Sequence, residues 1–240
     1  MLNNAQGGLV DSGAALTVQA TTLDNRGGTI SAAQALGVTG GTLDNSAGSL
    51  IGNASVNLNL LGALTNSTGK LASAGPLRLS ASRVNNQGGQ LASQGLLTLL
   101  TGELDNRNRG AVAANDLLTL TATGVVQNGA DGLIYSQHSD LKLQAASLAN
   151  NQGTLQSQGA LSLEVAGDID NHSGRILAQD GDLNLTAVNL DNRGGVLASL
   201  HATLTAYLSG WLQNGYDLIN PAGRHHPGRP PEPDGPWRHR

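Results

Sequence analysis

The chain has 240 residues and a formal net charge of −4, with no Cys, no Phe and 2% aromatic residues. Without Cys there is no disulfide scaffold, no Cys-ligated metal and no Cys nucleophile, and the acidic balance offers no basic surface for nucleic acid. No apolar run approaches the roughly 18–20 residues that span a bilayer.

Read in order, the chain repeats one phrase. It opens on Leu2-Asn3-Asn4-Ala5-Gln6-Gly7-Gly8, followed by the alternating Leu16-Thr17-Val18. The second unit runs Leu23-Asp24-Asn25, then Ile30, then Leu36-Gly37-Val38; the third has Leu43, Leu50 and Val56-Asn57-Leu58. The fourth has Leu64, Leu71 and Leu77-Arg78-Leu79, the fifth Val84, Leu91 and Leu97-Thr98-Leu99, the sixth Leu104, Val112 and Leu118-Thr119-Leu120. The seventh is looser, with Val126-Gln127-Asn128, Ile134 and Leu141-Lys142-Leu143. The pattern returns with Leu148, Leu155 and Leu161-Ser162-Leu163, then Ile169, Ile176 and Leu183-Asn184-Leu185, then Leu190, Leu197 and Leu204-Thr205-Ala206. Leu212-Gln213-Asn214 opens an eleventh unit, which stops.

The Asn closing each phrase is a ruler. It stands at Asn4, Asn25, Asn45, Asn66, Asn86, Asn106, Asn128, Asn150, Asn171, Asn192 and Asn214, with gaps of 20 to 22 residues. A fixed period of this size is the signature of a solenoid. Each unit holds three short segments, L-x-N, G-x-L-x-S/A and L-x-L-x-A, and alternation at period 2 is the strand signal. No unit has room for a helix with 3.6-residue periodicity. Glycine pairs such as Gly27-Gly28 and Gly88-Gly89 stand between the first and second segments, where a tight turn is expected to need positive φ. The predicted fold is all-β: a parallel β-helix of about ten 20–22-residue coils, three short strands each, with Leu, Val and Ile in the bore. A leucine-rich repeat has an overlapping period, but it places Asn about three residues after L-x-L and returns through a helix or 3₁₀ segment. Here Asn follows L-x-L by six to eight residues.

Two regions follow: the array at 1–214 and a tail at 215–240. From Pro221 to Arg240 the chain holds six of its seven Pro, four Arg and three of its six His. Proline removes ladder donors, so the tail is expected to be disordered. It is either a linker or basic anchor, or translation out of frame after a break in a longer repeat gene. The abrupt loss of pattern favours the second. Met1-Leu2-Asn3-Asn4 already lies inside a repeat phrase, so the chain is expected to start within an array, with no signal peptide of its own.

The Asn column is the first candidate site: Asn25, Asn45, Asn66, Asn86, Asn106, Asn128, Asn150, Asn171 and Asn192. Stacked amides in register are expected to bond above and below and to satisfy the turn, a structural role rather than ligand contact. Asp24, Asp44, Asp105, Asp170 and Asp191 precede Asn and are expected to face outward as a solvated column. Asn3, Thr65, Asn85, Gln127 and Ala149 interrupt it. His138, His172 and His201 occupy different phases and form no metal or triad pattern, and Asp168, Asp170 and His172 alternate along one segment without further support. Tyr135, Tyr207, Trp211 and Tyr216 are the aromatics near the array, and those after residue 200 are expected to cover the last coil. No G-x-x-x-x-G-K-[ST] loop occurs. No catalytic residue, metal or cofactor is expected.

The phrases Leu23-Asp24-Asn25-Arg26-Gly27-Gly28-Thr29-Ile30, Leu43-Asp44-Asn45-Ser46-Ala47-Gly48-Ser49-Leu50 and Leu190-Asp191-Asn192-Arg193-Gly194-Gly195-Val196-Leu197 resemble the repeats of filamentous haemagglutinins, two-partner-secretion exoproteins of Gram-negative bacteria. The resemblance covers residues 2 to about 214. It implies a right-handed β-helix shaft, exported through an outer-membrane two-partner-secretion transporter and secreted or displayed on the cell surface. It also implies adhesion to a host or neighbouring-cell receptor or glycan, or a stalk that holds an effector away from the cell, as in contact-dependent growth inhibition toxins. A β-helix polysaccharide-degrading enzyme is the rival from another class. Such enzymes build a cleft from long loop insertions, and here coil length varies by only two residues.

Overall fold

The structure is a computed structural model and describes residues 1–215. The expected disordered tail therefore lies, apart from Gly215, outside the described residues. All regular structure in the described residues is β-strand, arranged in two parallel sheets.

The smaller sheet has ten strands, one from each coil, paired in chain order from Leu9–Ser12 to Val196–Ser199. Each is four residues long and begins just after the glycine of the G-x-L-x-S/A segment. The pairing is in register: Val10 pairs with Ile30, Ile30 with Leu50, Leu50 with Leu71 and Leu71 with Leu91. The aliphatic residue of each unit thus stacks on its counterpart one coil away. At about 4.8 Å per coil, ten coils make a rod roughly 50 Å long.

The larger sheet carries the other two segments. Here the structure refines the expectation of three separate strands per coil. In Leu16–Asp24, Ala35–Asp44, Leu77–Asn85 and Leu97–Asp105 the L-x-L-x-A segment runs on into the next L-x-N as one strand. In the coil of Ser55–Leu60 and Ala63–Thr65, and from Leu118–Ala122 and Val125–Gln127 onward, the two are separate. The inter-coil bonding continues through the break: Thr123 N–H donates to the Thr101 carbonyl at 3.0 Å, Gly124 to Gly102 at 2.7 Å and Gly167 to Ala146 at 2.8 Å. The chain bends there while its inter-coil ladder continues.

The bore is filled by aliphatic columns. Ile30, Leu50, Leu71, Val112, Ile134, Leu155 and Ile176 of the small sheet are fully buried. So are Leu77, Leu118, Leu141, Leu161 and Leu183 of the large one, and the Leu64, Val84 and Val126 that open the phrase. Alternation decides which residues enter, because successive side chains of a strand point to opposite faces. The corner between the small sheet and the L-x-L-x-A segment is kept narrow by small residues, with Ser73, Ser93, Ser136 and Ser157 buried. Their hydroxyls serve the turn: Ser93 Oγ donates to the Gly75 carbonyl of the preceding coil at 2.7 Å.

Burial falls away in the last described coil. Leu204 and Leu212 are 40% and 52% exposed, although Leu183 and Leu190 beneath them are fully buried. The late aromatics do not seal this end. Tyr207 is 68% exposed on the outer face of its strand and Trp211 is 47% exposed. The reason is phase: Leu204, Ala206 and Leu208 take the bore positions, so Tyr207 points out. Tyr135 is a half-buried outer-face residue far from that coil. Tyr216 lies outside the described residues.

Candidate functional site

The corner after each L-x-N is where chemistry-bearing side chains concentrate. The structure places Asn25, Asn45, Asn66, Asn86, Asn106, Asn128, Asn150, Asn171 and Asn192 in one line inside it. The first eight are 0% exposed and Asn192 is 4% exposed. Asn4 and Asn214 extend the line at either end. Each Nδ2 donates to the Oδ1 of the Asn one coil later, at 2.6 to 2.8 Å, from Asn4 through Asn192. All ten bonds point the same way, so each amide polarises the next.

The remaining capacity of each amide is also used. Nδ2 lies 3.0 to 3.5 Å from the carbonyl of the glycine in its own corner. From Asn4 through Asn171 it also lies 3.0 to 3.2 Å from the carbonyl of the residue after the next coil's glycine. A primary amide offers two N–H donors and one acceptor oxygen. An interior rung therefore has no donor left for a ligand and no exposed surface through which one could reach it.

The glycine pair divides its work, and the expectation of positive φ applies to only part of it. The residue two after Asn is left-handed, but Gly27, Gly88 and Gly194 share that role with Ala47, Thr68, Gln152 and Ser173. After Asn106 and Asn128 the turn is one residue longer and two non-glycine residues are left-handed, Asn108 with Arg109 and Ala130 with Asp131. The second glycine has no positive φ and is the more demanding position. A Cβ on Gly28, Gly48, Gly69, Gly89, Gly153, Gly174 or Gly195 would overlap the carbonyl oxygen of the ladder Asn in the preceding coil. Gly110 and Gly132 meet Asn86 and Asn106 in the same way. Close approach of two backbones, rather than turn chirality, excludes a side chain here.

The aspartates also depart from a solvated column. Asp24 and Asp105 are buried, at 8% and 6% exposure. Each Asp Oδ1 accepts the backbone N–H two residues on: Arg26 at 3.2 Å, Ser46 at 3.0 Å, Arg107 at 3.3 Å, His172 at 2.9 Å and Arg193 at 3.1 Å. This is an Asx turn, which fixes the entry to the corner. Asn3 and Asn85 do the same through their amide oxygens, to Ala5 and Gln87. In three coils an Arg closes a fork on the carboxylate, Arg26 on Asp24, Arg107 on Asp105 and Arg193 on Asp191, at 2.6 to 2.8 Å. The Arg26 side chain, followed by its backbone N–H, holds the Asp24 carboxyl down at about 2. For Asp105, burial pushes upward, but Arg107 and Gln87 outweigh it and the carboxyl stays below its ordinary value. Arg193 likewise lowers Asp191 against opposing burial.

His201 meets Asp180 at 3.0 Å on the exposed surface. Asp168 accepts from Asn189 at 2.8 Å and Asp170 from the His172 backbone. Among the described residues no group of three or more His, Cys, Asp or Glu is arranged to hold a metal ion. No helix in the described residues is long and apolar enough to cross a membrane. A shallow groove of about 700 Å³ follows the bend of the large sheet past Thr121, Gln144, Glu164 and Thr186.

Residues 1–68, 52–173 and 167–206 each match the haemagglutinin repeat, so the matches together run from residue 1 to 206 of the 240. No curated protein and no solved structure matches the chain.

Proposed function

We propose, from the premise that this chain belongs to the haemagglutinin-repeat family, that residues 1–214 are a length of shaft from a filamentous-haemagglutinin-like adhesin. The observation that supports this most is the uniformity of the array. The family match covers residues 1–206, and over that length the coils differ only by one or two residues at a corner. A rod whose polar interior is saturated by its own ladder sets a distance and presents an outer surface.

On this reading the parent protein is secreted or held at the bacterial surface, exported by an outer-membrane two-partner-secretion transporter. The shaft spaces a distal part from the cell and its outer face meets a receptor or glycan on a host or neighbouring cell. Families of this repeat are structural rather than enzymatic, and the chain is read as having no catalytic role of its own.

The test is adhesion. Beads coated with the purified 240-residue chain should bind animal or bacterial cell layers above albumin-coated beads, and free chain should compete. Adhesion equal to that of albumin would remove the adhesive half of the proposal.

A further inference from the structure

The groove along the bend of the large sheet is longer and more ordered than a surface dimple. Its polar wall is one column of outward side chains in direct inter-coil register: Thr121 pairs with Gln144, Gln144 with Glu164, Glu164 with Thr186 and Thr186 with Tyr207. The opposite wall is small and apolar, with Ala146, Ala166 and Val188 exposed. A second depression of about 430 Å³ shares Val165, Ala166 and Thr186 with the first and carries the groove on to Tyr207 and Leu208. The groove therefore follows the rod axis across five coils.

Its origin is local. The groove lies where the long strands part from Leu118–Ala122 onward; they also part once earlier, between Ser55–Leu60 and Ala63–Thr65. Beneath it the bore positions are held by Ala122, Ala145, Val165 and Ala187, all buried; Ala81 and Thr101 hold the same register in unbroken coils, so bore size alone does not set the break. In the earlier coils the strands run on unbroken through Leu77–Asn85 and Leu97–Asp105. Leu61, 88% exposed, projects at the one earlier break, between Ser55–Leu60 and Ala63–Thr65.

We propose that this groove binds a neutral, extended, β-linked glycan chain lying along the rod, one sugar to each coil. Two observations select that occupant. The first is repeat distance. The groove offers one polar side chain every ~4.8 Å, the spacing of stacked strands, and a pyranose in an extended equatorial chain is close to one such step long. An extended peptide advances about 3.3 Å per residue and a nucleic-acid strand about 3.4 Å per nucleotide, so neither keeps phase over five coils. The second is chemistry. A sugar ring has polar edges and apolar faces, and the groove has one hydrogen-bonding wall, whose column ends at the aromatic ring of Tyr207, and one apolar wall. The charged group on its polar wall is Glu164, which accepts from Gln144 at 2.6 Å; an acidic group there disfavours a sulfated or phosphorylated chain.

This deepens the adhesive reading above and rests on it only for biological meaning, since the assay uses purified chain and defined sugars. Titrate the full 240-residue chain with cello-oligosaccharides of two to eight units, following amide shifts by NMR. Affinity is expected to climb with length and level off at five or six units, with shifts confined to residues 119–123, 142–146, 162–167, 184–188 and 205–209. Ala166→Arg, which lays a long cation across the groove from an exposed position, should abolish binding while the β circular dichroism spectrum is unchanged. Tyr207→Ala should weaken it several-fold, and Thr39→Ala, in the same column outside the groove, should change nothing. Absence of binding at millimolar hexaose, no dependence on length, equal binding by Ala166→Arg, or preference for a sulfated oligosaccharide would each overturn the proposal. Bead adhesion that persists with Ala166→Arg would overturn the glycan site as the adhesive surface and leave the shaft reading standing.

Discussion

Replacing Asn86 by Ala removes one rung from the middle of the ladder. Asn86 is fully buried, receives the Asn66 Nδ2 at 2.8 Å, and donates to Asn106 Oδ1 at 2.7 Å, the Gly89 carbonyl at 3.2 Å and the Ala111 carbonyl at 3.1 Å. Alanine leaves Asn106 Oδ1 without a ladder donor and Asn66 Nδ2 without its ladder acceptor. With each stranded buried group costing about 1–3 kcal/mol, the loss is about 2–6 kcal/mol. Solenoids open locally rather than all at once, so the readout is amide hydrogen exchange along the rod, supported by guanidinium unfolding. Protection in the strands around residues 77–114 should fall about 30-fold to 10⁴-fold, at about 1.4 kcal/mol per tenfold. Distant coils near residue 30 should be less affected. Asn86→Asp should be worse than alanine, because it substitutes a buried charge for the two donors. If Asn86→Ala exchanges like the parent within a factor of two, the ladder does not hold the corner together. The asparagine column would then need another explanation, such as ligand contact.

The two glycines of one corner should behave differently. Gly88→Ala should cost about 1–2 kcal/mol, the penalty of a left-handed residue, because Ala47 and Thr68 already adopt that conformation. Gly89→Ala should cost more than about 4 kcal/mol, because its Cβ overlaps the Asn66 carbonyl oxygen; equal melting temperatures for the two variants would contradict this. Acid should destabilise the rod in a defined window. The carboxyls of Asp24, Asp105 and Asp191 sit below their ordinary value near 3.8. Their contribution is therefore complete above about pH 4 and is lost as pH falls toward the depressed values, about 2 for Asp24. A triple Asp→Asn variant at these positions should show a flatter decline in melting temperature between pH 4 and pH 2, and a parallel decline would refute the assignment.

Much of the fold is written in spacing. The asparagine marks, the L-x-L segments and the aliphatic residue after each glycine give the coil length, the strands and the bore columns, because period-2 alternation decides burial residue by residue. What could not be read depends on contacts between residues some twenty positions apart. Gly28 looks like one half of a turn pair until its approach to the Asn4 backbone is known. Asp24 looks like a surface charge until Arg26 folds over it. Where the long strands part was not legible either, because Ala122 at a break and Ala81 in an unbroken strand hold the same bore register. The groove followed from no motif, because its polar wall joins one residue from each of five coils.

In a stacked-coil shaft, coil number sets length. Inserting a second copy of residues 26–192 after Asn192 adds the eight coils from Asn25 to Asn192 in register. Negative-stain electron microscopy of well-separated particles should then show rods about 38 Å longer, at about 4.8 Å per coil, with unchanged width. A particle that grows wider, or keeps its length, would contradict the stacked-coil shaft.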